Sequence, residues 1–206
     1  TGILIIMPAV YFFFFEYQSL PMGERILTSL FQSVTPRTAG FNTTDLTAFS
    51  ETGQMLIILL MLIGGSPGST AGGMKTTTIA VLVSSALSVF RKKKDTHFFK
   101  RRIPDYTVKS AASIFLLYIG LFIGGGMVIS RLENIPLLPS MFETASAIGT
   151  VGLSLGITSQ LGIVSQFILI ILMFFGRVGG LTLIFAATTK TAANTAKYPQ
   201  EKITVG

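Results

Sequence analysis

The stretch Thr35-Pro36-Arg37-Thr38-Ala39-Gly40-Phe41 is answered later in the chain by Ala147-Ile148-Gly149-Thr150-Val151-Gly152-Leu153. Each follows a modest apolar run and precedes a long one, and both contain the frame Thr-x-Gly-apolar. The pairs Thr38/Thr150, Gly40/Gly152, Gln54/Gln166, Met61/Met173 and Gly64/Gly176 are all 112 residues apart. One gap-free register therefore runs from the short motif into the middle of the next hydrophobic segment. A fixed internal period of this kind is the mark of a duplicated unit.

The surroundings of the two motifs are apolar. Of 206 residues 50% are hydrophobic and only 12% charged, against about 25% charged in a soluble domain. The few charges are clustered, and the apolar runs between them are long. This predicts a membrane protein. The absence of Cys excludes disulfides and thiolate metal sites. With no Trp, interfacial anchoring falls to 17 Phe and 5 Tyr.

In chain order, residues 1–17 are apolar as far as Glu16 and start without Met, a basic leader or a small-residue cleavage site. They read as the outer part of a spanning helix that begins before residue 1. In 22–35, Ile26, Leu27, Leu30, Phe31 and Val34 fall at helical spacing, but the run is shorter than the roughly 20 residues a span requires. It stops at Pro36 and Gly40, so a re-entrant hairpin is expected, tolerated at membrane depth only where it lines a cavity or is buried in protein. The apolar run 53–63 breaks at 64–78, where five Gly and one Pro fall within ten residues, and resumes over 79–90. A single crossing interrupted by an intramembrane loop fits that length.

Residues 91–109 carry eight Lys/Arg against Asp95 and Asp105. The excess assigns this loop to the cytoplasmic side and both motifs to the outside. Lying directly between two spans, it has no second element to enter a groove, so nucleic acid is rejected as a partner and contact with anionic lipid headgroups is expected. Residues 108–130 form an outward span, Leu137 to Ile148 a second short helix, and 162–187 an inward closing span. In the second short helix Phe142-Glu143-Thr144 echoes Phe31-Gln32-Ser33 at a spacing of 111. The expected fold is an all-α membrane protein of parallel helix–re-entrant hairpin–helix repeats around a central ion pore. Its divisions are 1–90 (first repeat, with a broken inner helix), 91–107 (cytoplasmic basic loop), 108–188 (second repeat) and 189–206 (cytoplasmic tail).

A potassium-selective constriction can be built from backbone carbonyls that replace an ion's hydration shell. Glycine permits the dihedrals this needs. The candidate filter is Thr38, Ala39 and Gly40 with Thr150, Val151 and Gly152, and neither stretch contains a carboxylate. The candidate gate is the small-residue insert Gly64, Gly65, Ser66, Pro67, Gly68, Ser69, Thr70, Ala71, Gly72 and Gly73. Arg177 is expected to steady that loop, since a cation amid an apolar helix requires a partner or a cavity. Arg37 is placed behind the filter as a packing or carbonyl partner. Lys75 is read as reaching the inner interface and His97 as solvated.

The motifs TPRTAGFNTTD (35–45), GGSPGSTAGGMKTTT (64–78), FFKRRIP (98–104), GTVGLSLGIT (149–158) and FFGRVGG (174–180) together resemble the KtrB branch of the Trk/Ktr/HKT superfamily of potassium transporters. The resemblance covers the second half of a family member, the third and fourth of four repeats. It implies K+ as the transported ion with Na+ as an activator, Gly40 and Gly152 as filter glycines, and 64–73 as the gating loop beside Arg177. It also implies a plasma-membrane location, a homodimer, a cytosolic nucleotide-binding ring of RCK domains, and an N-terminal half that completes the pore. The competing reading is a secondary transporter of another small solute. Broken helices favour it, while parallel repeats without a substrate-sized polar pocket disfavour it.

Overall fold

The computed structural model describes residues 1–93, 95–98 and 101–179. Within them the fold is helical apart from one very short hairpin. Helix α1 (Gly2–Tyr11) runs on through a π-helical turn, Phe12–Glu16, to α2 (Met22–Val34). Helices α3 (Glu51–Leu62) and α4 (Thr76–Phe90) flank the glycine-rich loop. Strands β1 (His97–Phe98) and β2 (Arg101–Arg102) pair antiparallel in the basic segment. Helix α5 (Asp105–Glu133), α6 (Leu137–Gly149) and α7 (Ile163–Val178) complete the described chain.

Helix α5 has 29 residues, about 43 Å at 1.5 Å per residue, and exceeds the ~30 Å hydrocarbon core. Among the described residues it is the one helix long and apolar enough to cross a membrane by itself. The other apolar helices are shorter. The segment 53–90 is two helices around a loop, and α7 ends at Val178. Gly179, at φ +85°, ends it. The remainder of the expected span and the tail 189–206 lie outside the described residues. Arg177 consequently sits in the last turn of α7, not halfway along a helix. The basic segment also departs from a plain loop, because it contains the β1–β2 pair and its last three residues, 105–107, begin α5.

Helix α6 is the centre of the packing, in contact with α3, α5 and α7. Its residues 142–149 are all buried, and around them lie Ile57, Ile58, Met61 and Leu172. Helix α2, by contrast, packs on α1 and leaves Leu27, Leu30 and Val34 exposed. The difference is one of neighbours: α6 has α3 across it, and no described helix covers α2 in the same way.

The offset of 112 is carried by the backbone as well. Two short 3₁₀ turns, Leu46–Ala48 and Thr158–Gln160, keep that offset, and so do the starts of α3 and α7. The Gln54 amide donates to the Phe49 carbonyl at 3.3 Å, and the Gln166 amide to the Leu161 carbonyl at 2.9 Å. A carboxylate holds the start of each following helix. Glu16 accepts from the Ser50 amide and hydroxyl, and Glu133 accepts from the Gly162 amide at 2.9 Å and the Ser165 hydroxyl at 2.5 Å. Such carboxylate-to-amide bonds supply partners for the unpaired N–H groups at a helix start.

Candidate functional site: two Thr-x-Gly loops and a clamped glycine loop

The two motifs have the same alternation of backbone hand. Thr38 and Gly40 sit at φ +69° and +72°, and Thr150 and Gly152 at +52° and +93°. Left-handed threonine is uncommon and carries a conformational cost. Thr150 is the residue at which α6 ends, so the helix terminus itself starts the motif. The amides of both motifs are turned back toward the preceding helix. Ala39 and Gly40 donate to the Thr35 carbonyl at 3.2 and 3.0 Å, and Val151 donates to the Ser146 carbonyl at 2.9 Å. Gly152 donates to the Ser146 hydroxyl at 3.1 Å. Among the described residues, no carbonyl of 38–40 or 150–152 accepts a hydrogen bond. The hydroxyls of Thr38 and Thr150 are buried and unpartnered as well.

The motifs touch each other. A Cβ at Gly40 would run into the Val151 carbonyl oxygen, so only glycine allows this approach. The return leg after Gly152 is tied down by Glu143, which accepts from the Ser154 hydroxyl at 2.7 Å, the Leu155 amide at 3.1 Å and the Thr158 hydroxyl at 2.6 Å. A cavity of about 470 Å³ opens beside this leg, bounded by Glu143, Thr150, Gly152, Met173 and Arg177 among others.

The glycine-rich loop lies directly against the second motif. Gly72 packs so closely on Thr150 that a Cβ there would overlap the threonine side chain. The neck of the loop is closed by backbone bonds from Gly64 to the Met74 carbonyl at 2.8 Å and from Met74 to the Leu62 carbonyl at 3.3 Å. Gly73 donates to the Gly176 carbonyl of α7 at 3.3 Å. Three cations then reach the loop's carbonyls. Arg37 donates to Gly64 at 3.2 Å, Lys75 to Ser69 at 3.1 Å and Ala71 at 2.5 Å, and Arg177 to Thr70 at 2.9 Å. These side chains compensate backbone groups that no helix satisfies.

The sequence-derived positions thus converge: Thr38–Gly40, Thr150–Gly152, 64–73 and Arg177 form one continuous region. Lys75 corrects one expectation, since it folds back on the loop instead of reaching the inner interface. His97 is exposed, as expected. Sequence reasoning missed Glu143, although a lone carboxylate within an otherwise uncharged short helix was a usable signal. It also missed Glu16 and Glu133, whose partners lie 34 and about 30 residues away in sequence.

The TrkH family pattern, described as cation transport protein, matches residues 12–197. The chain belongs to the TrkH family. Its members are cation transport proteins and not enzymes. It is 36% identical over 192 residues to the Ktr system potassium uptake protein B of Bacillus subtilis, covering 91% of this chain and 42% of that protein. It is 37% identical over 217 residues to the potassium/sodium uptake protein NtpJ of Enterococcus hirae, covering 100% and 48% respectively. The chain spans about half the length of the curated relatives it matches. The solved structure of the potassium transporter TrkH from Vibrio parahaemolyticus superposes with a TM-score of 0.74 at 23% identity, over 91% of this chain and 42% of that one. That likeness concerns the all-α fold.

Proposed function

We propose that this chain forms part of the pore of a potassium-uptake transporter of KtrB type. Its backbone carbonyls at Thr38–Gly40 and Thr150–Gly152 supply two strands of the ion-selecting constriction. The observation that carries this reading is the pairing of bound amides with unclaimed carbonyls in two abutting loops of the same hand. Oxygens without protein donors are suited to replace the water around a cation. The names of the Bacillus and Enterococcus relatives, potassium uptake and potassium/sodium uptake, support K+ as the ion; the second also brings in Na+, which this reading takes as an activator.

In this reading 1–90 and 108–188 are parallel repeats, each with an outward span, a re-entrant hairpin and an inward span in the plasma membrane. The basic segment 91–107 and the tail 189–206 are cytoplasmic. Two strands make half of a four-sided constriction, so a preceding N-terminal half supplies the other two. The loop 64–73 lies beneath the constriction and acts as the gate, with its closed position held by Arg177, Lys75 and Arg37. A homodimer and a cytosolic nucleotide-binding RCK ring would set the loop's position.

The test is Gly152→Ser in the assembled transporter, reconstituted in vesicles. K+ over Na+ discrimination should fall at normal protein level, because a side chain at φ +93° disturbs the carbonyl cage. Unchanged ion preference would remove Gly152 from the filter.

A further inference from the structure

The two loops are held from behind in different ways. In the second unit the carboxylate of Glu143, 4% exposed, receives three donors from the return leg 154–158. Ser154 extends the network, accepting from the Gly156 amide at 2.9 Å and lying 2.9 Å from the Thr158 hydroxyl. In the first unit the matching residue is Gln32, 1% exposed, and its Nε2 has no partner among the described residues. The first return leg is instead caught by neutral bonds, from the Thr35 hydroxyl to the Phe41 carbonyl at 2.6 Å and between the Tyr17 and Thr44 hydroxyls at 3.1 Å. The residues matching Ser154 and Thr158 at the offset of 112 are Asn42 and Leu46, so a carboxylate at position 32 would meet a different donor set.

We propose that Glu143 is a positioning residue for selectivity, which makes the two loops unequal: the second is braced by a buried anion and the first by neutral bonds. This rests on the reading of 150–152 as a filter strand. Gly152 is two residues from Ser154, and its own amide is tied to Ser146 on the same short helix. Both ends of the strand are thus referred to α6, the most buried element of the fold. Hydrogen bonds to a charged acceptor are roughly twice as strong as neutral ones. Releasing them lets the Val151 and Gly152 carbonyls drift, which harms discrimination between cations of different radius more than it harms conduction.

The test uses Glu143→Gln, Thr158→Val and Gln32→Glu in the assembled full-length transporter, with Rb+ and Na+ flux in vesicles as the readout. Glutamine keeps the size but presents one oxygen where the carboxylate presented two. The Rb+/Na+ flux ratio should fall about tenfold, the weight of one charge-assisted bond, with a raised KM for Rb+ and nearly unchanged maximal flux. A general loss of folded protein would lower maximal flux alone, and that outcome overturns the proposal. Thr158→Val should lower the ratio by a smaller step and add little in the Glu143→Gln background, because both act through one network. It also provides an independent reading if Glu143→Gln folds poorly, and a parental ratio in Thr158→Val then overturns the proposal. Gln32→Glu should not restore the ratio to Glu143→Gln. Restoration would mean that negative charge near the constriction, and not bracing of the second strand, sets selectivity. A parental ratio in Glu143→Gln, with Gly152→Ser defective, overturns the brace and leaves the filter standing; parental ratios in both remove the filter assignment itself.

Discussion

Replacing either motif glycine by alanine separates backbone strain from collision. At Gly152 nothing lies within 4 Å of an added Cβ, so the penalty is conformational alone. Its φ of +93° is beyond the left-handed region open to L-residues, which costs about 1–3 kcal/mol. Gly40, at φ +72°, sits at the edge of that region and carries a smaller strain. Its Cβ, however, meets the Val151 carbonyl, a backbone atom that cannot rotate away. Overpacking adds about 1–3 kcal/mol, and the group displaced is one of the oxygens proposed to face the ion. Gly40→Ala should therefore be the more damaging change, although its own loop is the less strained. Gly152→Ala is expected to fold, with thermal unfolding shifted down modestly and Rb+/Na+ selectivity reduced. Gly40→Ala is expected to unfold earlier and to lose selectivity further, through the strand it does not belong to. Unfolding in detergent and paired Rb+ and Na+ fluxes in vesicles measure both. If Gly40→Ala is as stable and as selective as Gly152→Ala, the two motifs do not pack as described and the argument fails.

Deleting 66–71 should raise flux and uncouple it from the cytosolic subunit, as measured in the assembled protein with and without that subunit. Parental flux with full regulation would make the loop a structural insert. Arg177→Gln and Lys75→Gln each remove carbonyl donors from the loop, and their exposed or half-buried settings limit each to about 1 kcal/mol. Regulated flux should shift by a few-fold for either and further for the double variant, and no shift in the double variant would separate these cations from gating. An impermeant thiol reagent outside intact cells should label a Cys placed at Asp45 and spare one placed at Thr96, and the reverse pattern would invert the proposed topology.

Much of this architecture was legible in the chain itself. The runs 22–35, 53–63, 137–148 and 162–187 read as apolar helical segments, and Pro36 and the glycines of 64–73 mark where two of them stop, because each removes a backbone donor or adopts dihedrals a helix cannot continue; the stop at Gly179 came from the structure. The register of 112 located both Thr-x-Gly loops, since a duplicated unit must fold its halves by the same local rules; the matched starts of α3 and α7 came from the structure. What tertiary structure decided is which polar groups are claimed and which are left open. Arg37 reaches Gly64 across 27 residues and Arg177 reaches Thr70 across 107, distances at which sequence has no hold on geometry. Lys75 illustrates the difference: its position after the break suggested a reach to the inner interface, but the Ser69 and Ala71 carbonyls, which no helix satisfies, take its ammonium instead. The contact of Gly40 with Val151 and the burial of Glu143 under the second return leg are likewise products of packing between segments. No spacing in the chain specifies how α3 packs across α6 or how near the two loops come, because both follow from side chains meeting between distant segments.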